Sequence, residues 1–230
     1  GELPFDQLLI ASGGKSILPG IFTPHSRKVT GLRTKADADF ILSKLPTTKE
    51  AILIGAGLLG IETANALLSR GIPVTVLEYF DRLLPRQLDS EAASVLKKAL
   101  EKRGLRFLLP TEVRTLQEQE NALEMELKDG STLSGNLVIV AAGIRPNTSF
   151  IQNNEIEVKK GIVVNSRMET NVKGIFAAGD CAEYGERVYG IWPAAKDQGE
   201  LSALSILGEA KVYEGTLPSA KLKVAGIEML

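Results

Sequence analysis

The sequence holds one cysteine, one histidine and one tryptophan in 230 residues, and aromatic residues make up only 5% of it. A single cysteine, Cys181, forms neither an internal disulfide nor a cysteine-based zinc site. A single histidine, His25, excludes metal sites built on clustered histidines and argues against a Ser-His-Asp triad. No catalytic side chain and no metal ligand set is therefore assigned. An excess of one charge is lacking too: 27 Lys+Arg against 28 Asp+Glu leave a formal net charge of -1. That balance supplies no basic field for a phosphate backbone, so no nucleic-acid partner is expected. The longest apolar stretch, Ala51 to Ile61, contains three glycines and is too short to cross a bilayer. The opening GELPFDQLLIASGG has no basic segment of the kind that starts a signal peptide. These absences point to a soluble cytoplasmic protein with no membrane segment. With 44% hydrophobic and 24% charged residues, the chain has the apolar content of a folded protein. Its length suits one large domain or about two small ones.

Patterning along the chain is that of an α/β protein. Residues 7–11 read as a buried strand ended by Ser12-Gly13-Gly14. Thr34 to Leu45 has helical spacing, with Thr34 as its N-cap. Ala51-Ile52-Leu53-Ile54 is a continuous apolar run, as in a parallel strand covered on both faces. A helix over Leu58 to Arg70, stopped by Gly71, and a β-rich run Val74-Thr75-Val76-Leu77 complete a βαβ unit. Ser90 to Arg103 is amphipathic, capped by Asp89 or Ser90 and ended by Gly104; its charges Glu91, Lys97, Lys98 and Glu101 read as a solvated face. Residues 112–117, 122–128 and 131–134 then read as a three-stranded antiparallel insert, with Asp129-Gly130 as a hairpin turn. Leu137 to Ala141, Gly161 to Asn165 and Gly174 to Ala178 are further short strands. Pro193 to Leu207 is a helix with proline in its first turn, and residues 221–229 read as one final strand.

Gly55-Ala56-Gly57-Leu58-Leu59-Gly60 is a GxGxxG motif between a predicted strand and a predicted helix, and Glu78 ends the next strand 18 residues after Gly60. In that context the motif is a dinucleotide fingerprint. Gly55 permits the tight turn, Gly57 lets backbone approach a pyrophosphate, and Gly60 lets the helix pack closely on the sheet. The helix N-terminus offers free N–H groups to the phosphates, so Leu58 and Leu59 contribute through their backbone. Glu78 is placed to accept hydrogen bonds from the adenosine ribose hydroxyls. A 2′-phosphate beside its carboxylate would be repelled by about 4 kcal/mol at about 4 Å and a near-surface dielectric. NADH is thus favoured over NADPH, with Arg82 four residues on as the group that would soften the penalty. A glycine-rich loop with an acidic strand end also occurs in methyltransferases, but the antiparallel insert argues against one.

Four motifs in order, Ala11-Ser12-Gly13, GAGLLGIE (55–62), AAGIRPN (141–147) and TNVKGIFAAGD (170–180), resemble the FAD-dependent pyridine nucleotide-disulfide oxidoreductases. The segments IWPAAKDQG (191–199) and YEGTLPSAKLKVAGIEM (213–229) resemble the branch with NADH:rubredoxin reductases and the flavin-binding part of nitrite reductase large subunits. The resemblance implies a Rossmann-like NAD-binding domain with a three-stranded antiparallel insert (46–160), nested in a partial FAD-binding domain (1–45 and 161–230). It implies that Glu62 on the fingerprint helix approaches the nicotinamide, against a reading as a charge near a helix N-terminus; Gly143 ends the fourth sheet strand, where backbone approach to NAD is expected. It also implies that Ser12, Gly13, Gly179 and Asp180 contact FAD, Asp180 at the ribityl chain. Trp192 lies near the flavin in this branch, against a reading as core packing, and the helix from Pro193 aims its N-terminus at the flavin.

Cys181 reads as a buried structural residue, His25 as a surface residue. Family members carry another GxGxxG about a hundred residues before the ASG segment, so the chain is expected to be a middle excerpt of a longer enzyme. The implied activity is an NAD(P)H-dependent flavoprotein oxidoreductase. It passes hydride from NADH to FAD and on to a rubredoxin-like protein or to further domains of a nitrite reductase. The alternative is an isolated NAD(H)-binding module, inactive without the missing FAD anchor; a flavin-free dehydrogenase would need an acid/base residue that this sequence does not offer. Exposed sheet edges favour association between copies, as in a homodimer.

Overall fold

The computed structural model describes residues 3–22, 28–120, 122–152, 155–217 and 222–229; His25 lies outside them. The first elements in chain order are strands β1 (Leu8–Ile10), β2 (Gly14–Ser16) and β3 (Val29–Gly31), helix α1 (Lys35–Lys44), β4 (Ala51–Ile54), helix α2 (Leu58–Leu68), β5 (Val74–Leu77) and helix α3 (Ser90–Glu101). Then come β6 (Arg106–Leu108), β7 (Val113–Glu118), β8 (Leu123–Leu127), β9 (Thr132–Gly135), β10 (Leu137–Val140), β11 (Ile144–Pro146), β12 (Ile162–Val164) and β13 (Ile175–Ala177). The last are β14 (Ala182–Tyr184), helix α4 (Trp192–Ile206), β15 (Leu222–Val224) and β16 (Ile227–Met229).

The chain forms two compact units, one of Gly1–Lys15 with Ile144–Ala220 and one of Ser16–Gly143 with Lys221–Leu230. These divisions differ from the expected boundaries at 45/46 and 160/161. The reason is pairing: β3 adds to the edge of the second unit's sheet beside β10, and Ile41 of α1 joins that unit's core. Residues 144–160 fall in the first unit.

The second unit is built on a five-stranded parallel sheet in the order β3-β10-β4-β5-β6. Alternate residues of its strands enter different cores, because successive side chains point to opposite faces. Ala51, Leu53, Val74, Val76, Leu137 and Ile139 pack with Ile61, Ala64, Leu96 and Leu100 of the helices. Ile52, Leu77, Val138 and Val140 pack with Leu123, Met125, Leu127 and Leu133 of the antiparallel sheet β7-β8-β9. The insert is therefore the second cover of the sheet, which is why β4, β5 and β10 are apolar without alternation. Helix α1 starts with a reciprocal capping box between Thr34 and Asp37, and Asp89 caps α3.

The first unit pairs β1 with β13, β2 with β11 and β12 with β14, around a core that includes Ile10, Ile162, Met168, Ala177, Leu201 and Tyr213. Cys181 is fully buried there and its Sγ donates to the carbonyls of Ile10 and Ala178, a structural thiol. Two expectations need correction. Residues 7–11 do not form a buried strand: Leu8 and Leu9 are each 36% exposed, since β1 pairs only with β13 among the described residues. Residues 221–229 are not one strand but the hairpin β15–β16, turned at Ala225-Gly226. Val224 and Ala225 are buried in the helix-side core of the second unit.

A side chain at Gly60 has no room: a Cβ there would lie 2.0 Å from the Gly55 oxygen and 2.9 Å from Leu53 Cδ2. Gly60→Ala is expected to destabilise the second unit by about 3 kcal/mol or more, at or above the upper end of ordinary overpacking, which urea unfolding followed by circular dichroism will measure.

Candidate functional site

The fingerprint turn lies where β4 meets α2. Gly55 has φ +105°, which only glycine adopts without strain, and a Cβ there would lie 2.6 Å from the Ala141 oxygen just past β10. Its N–H donates to the Leu77 carbonyl. Three strand ends, of β4, β5 and β10, therefore converge on this turn. Gly57 is the N-cap of α2, with no side-chain cap, and a Cβ on it would meet nothing within 4 Å. The first-turn N–H groups, those of Leu58, Leu59 and Gly60, have no acceptor inside the helix. Leu58 and Leu59 are exposed and Gly60 and Ile61 buried, so the open side of the turn faces solvent. Uncapped amides, open space and a helix N-terminus fit a pyrophosphate.

Glu78 follows β5 and is 7% exposed. Its Oε2 accepts from the Ala56 N–H at 2.6 Å and its Oε1 from the Phe80 N–H at 3.0 Å. The carboxylate thus ties the middle of the glycine turn to the end of the next strand. Each oxygen still has accepting capacity, so the bonds to Ala56 and Phe80 do not preclude a ribose hydroxyl. Arg82 does not stand free: it pairs with Asp81 at 2.9 Å and donates to the carbonyls of Leu88 and Pro85. Tyr79 and Phe80, which follow Glu78 directly, are exposed and edge-on with ring centroids 5.4 Å apart, and no sequence motif marks them.

Gly143, three residues past β10, is exposed, and its carbonyl accepts from the Ile17 N–H. Glu62 sits one turn into α2, where its Oε1 accepts from the Ala225 N–H of the β15–β16 hairpin at 2.8 Å. Arg103 donates to the carbonyl of the same Ala225. A groove of about 410 Å³ between α1 and α2, lined in part by Ile41, Leu42, Ala66 and Leu67, shares only Glu62 with the candidate residues.

In the first unit, Ser12, Gly13 and Asn147 form a bonded cluster. Ser12 Oγ donates to the Asn147 carbonyl at 2.7 Å, and Asn147 donates from its backbone to Gly13 and from Nδ2 to Ser12. Gly179 and Asp180 lie on a short 3-10 turn, Gly179–Cys181. A Cβ on Gly14 would sit 3.6 Å from Asp180 Cβ. The structure thus brings the ASG segment, Asn147 and the GD pair into one neighbourhood. Trp192 opens α4 and is 81% exposed, so it does not pack in the core of this chain. No side chain caps α4. Small residues, a glycine turn, an uncapped helix start and an exposed indole together fit a flat ring system with a polar tail. Among the described residues no group of His, Cys, Asp and Glu forms a metal site, and no helix is long and apolar enough to cross a membrane.

A family model described as pyridine nucleotide-disulphide oxidoreductase matches residues 1–199, and the chain belongs to that family. Over 227 residues it is 37% identical to the nitrite reductase (NAD(P)H) of Bacillus subtilis strain 168, covering 98% of this chain and 28% of that protein. Over 229 residues it is 35% identical to the NADH-rubredoxin oxidoreductase of Clostridium acetobutylicum, of which it covers 56%. Its fold matches a NAD-dependent persulfide reductase from A. fulgidus with a TM-score of 0.91 and 29% identity, covering 97% of this chain and 43% of that one. The chain thus spans about half or less of the length of these relatives.

Glu78→Gln tests the tie across the fingerprint. It turns one carboxylate oxygen into an NH2 group facing a backbone N–H. We expect a loss of about 1–3 kcal/mol, the cost of an unsatisfied buried donor, read as a lower urea midpoint.

Proposed function

We propose that this chain is the nucleotide- and flavin-binding part of an NADH-dependent flavoprotein oxidoreductase. The observation that carries the reading is the uncapped, open glycine turn of α2 tied through Ala56 to the buried carboxylate of Glu78. In this reading the N–H groups at Gly57, Leu58, Leu59 and Gly60 hold the NADH pyrophosphate. Glu78 accepts from the adenosine ribose, and Gly143 and Glu62 border the path toward the nicotinamide. Family membership, not a bound ligand, supports FAD on the first unit, with Ser12, Gly13, Gly179, Asp180 and Trp192 as its contacts. When bound, FAD supplies the exchange between two-electron hydride chemistry and one-electron transfer; the protein supplies orientation and tuning.

The acceptor belongs to the class named by the relatives: a rubredoxin-like redox protein, or further redox centres of a nitrite reductase. Among the described residues β1 pairs only with β13, and an edge left unpaired in this way suits association with a second copy. Family membership favours this oxidoreductase over a bare nucleotide-binding module.

Selectivity follows from charge. A 2′-phosphate would meet the Glu78 carboxylate, while Arg82 is already engaged by Asp81 and two carbonyls. Titration calorimetry is expected to show NADH bound at least tenfold more tightly than NADPH, since half of the roughly 4 kcal/mol repulsion suffices. Gly57→Ala, which meets open space in the protein alone, is expected to keep the unfolding midpoint and weaken NADH, because its methyl occupies the pyrophosphate approach. Equal affinity for the two nucleotides, or unaltered NADH binding by the variant, would refute the assignment.

The lone tryptophan gives a second readout. Free of flavin, Trp192 is expected to emit at long wavelength and to be quenched readily by iodide. Added FAD is expected to quench that emission and shield it from iodide; emission indifferent to FAD would remove Trp192 from the flavin site.

A further inference from the structure

Outside the residues already assigned, one buried amide stands out. Gln198 lies on the second turn of α4 and is 1% exposed. A glutamine this buried must place both ends of its amide or leave a donor or acceptor unsatisfied. Its Oε1 accepts from the Gly179 N–H at 2.8 Å. That bond bolts the Gly179–Cys181 turn onto α4, and the two surfaces are close: a Cβ on Gly179 would sit 3.6 Å from Ala195 Cβ. Gly179 has φ +80°, so its N–H direction depends on a backbone state that other residues rarely adopt.

The other end of the amide, Nε2, is buried with no partner at hydrogen-bond distance. The Tyr213 side chain senses the same amide: burial raises its hydroxyl pKa, while Thr216 and Gln198 oppose that rise. Tyr213 is itself fixed. Its hydroxyl bonds Thr216 Oγ1 at 2.7 Å, and Thr216 donates to Asp197 Oδ2 at 2.8 Å. Tyr184 and Tyr189 pack edge-on against its ring. The Asp197-Gln198 pair therefore grips the GD turn through Gln198 and the 213–216 segment through Asp197.

We propose that Gln198 is a positioning residue for the flavin: it fixes the Gly179–Asp180 turn against the helix whose first residue is Trp192. This rests on the reading above, in which Asp180 and the start of α4 face the flavin. One hydrogen bond then sets the spacing between the group that holds the flavin's polar tail and the helix terminus that faces its ring. Loosening it changes how tightly the flavin is held and how strongly the helix terminus favours the reduced, anionic form.

The test uses the flavin-loaded protein that contains this chain. Gln198→Met keeps the volume and removes the acceptor. It is expected to raise the FAD dissociation constant about tenfold, lower the flavin midpoint potential and alter the visible flavin spectrum. Gln198→Glu keeps an acceptor for the Gly179 N–H and is expected to restore FAD affinity to within about threefold. Should Gln198→Met not fold, Gln198→Glu carries the test alone: its FAD affinity and potential must vary with pH beyond any change in the parent, as the new carboxyl titrates. A Met variant of lower thermal stability with unchanged FAD affinity, potential and spectrum would reduce Gln198 to a packing role and overturn the proposal. So would a Glu variant whose pH profile matches the parent. If the unsubstituted protein neither contains nor takes up FAD, the flavin reading itself fails, and this inference with it.

Discussion

The second unit depends on one close approach: the Gly60 backbone lies over the Gly55 carbonyl, so near that a Cβ would sit 2.0 Å from that oxygen. This contact brings the first turn of α2 down onto the end of β4. From it follow the position of the helix N-terminus, the open space at Gly57 and the burial of Ile61, Ala64 and Leu67 on the helix side of the sheet. A side chain at Gly60 would tilt the helix away and move every first-turn N–H group with it. Packing and the direction of the amides are here one geometric constraint, since the atoms that fill the core also aim the N–H groups.

Glu78 carries the same constraint across the sheet. A buried carboxylate is costly unless it is hydrogen-bonded, and the fold meets that cost with two backbone N–H groups, from Ala56 and Phe80. The residue that would read the ribose is therefore also part of the turn that would hold the pyrophosphate. Its negative charge is fixed in place before any nucleotide arrives, and the neighbouring guanidinium of Arg82 is occupied by Asp81 and by carbonyls. In the proposed reading, discrimination against an extra phosphate needs no rearrangement of the site.

Much of this was legible in the sequence, and the reasons are physical. β4, α2 and β5 were readable because a sheet covered on both faces demands apolar runs, and because the fingerprint glycines are required by contacts that reject any side chain. The insert was readable from its turn and alternation, though not its role as the sheet's second cover. The three-residue strands β2, β3, β6, β11 and β14 leave no trace in the sequence because a polar residue or a glycine interrupts each, whereas β12 and β13, equally short, stand out as apolar runs. The unit boundary moved because β3 is recruited by pairing with β10, a choice made by tertiary contact. Glu62 shows the limit most plainly. A charge on the first turns of a helix fits several roles, and only the fold shows its carboxylate on Ala225, 163 positions away in the chain. Gln198 lies inside the segment IWPAAKDQG, but its role was not legible there, because its partner Gly179 is set by how α4 docks.

Trp192 reverses a common expectation. Most tryptophans are largely buried, and in a chain with one tryptophan the simplest reading of it is core. Here the indole is 81% exposed, at the start of a helix whose first N–H groups no side chain caps. An exposed indole forgoes a burial term of about 25 cal/mol per Å² of apolar surface, and the first N–H groups of α4 have no side-chain acceptor, so the same end of the helix leaves an apolar surface and a partial positive charge open. A flat, partly anionic ring would satisfy both together, with apolar contact for the indole and negative charge for the helix terminus. Either feature alone is unremarkable on a protein surface. Their coincidence at one helix end, on the helix that Gln198 bolts to the Gly179–Asp180 turn, is the feature of this chain's own atoms that best agrees with the flavin site proposed for its first unit.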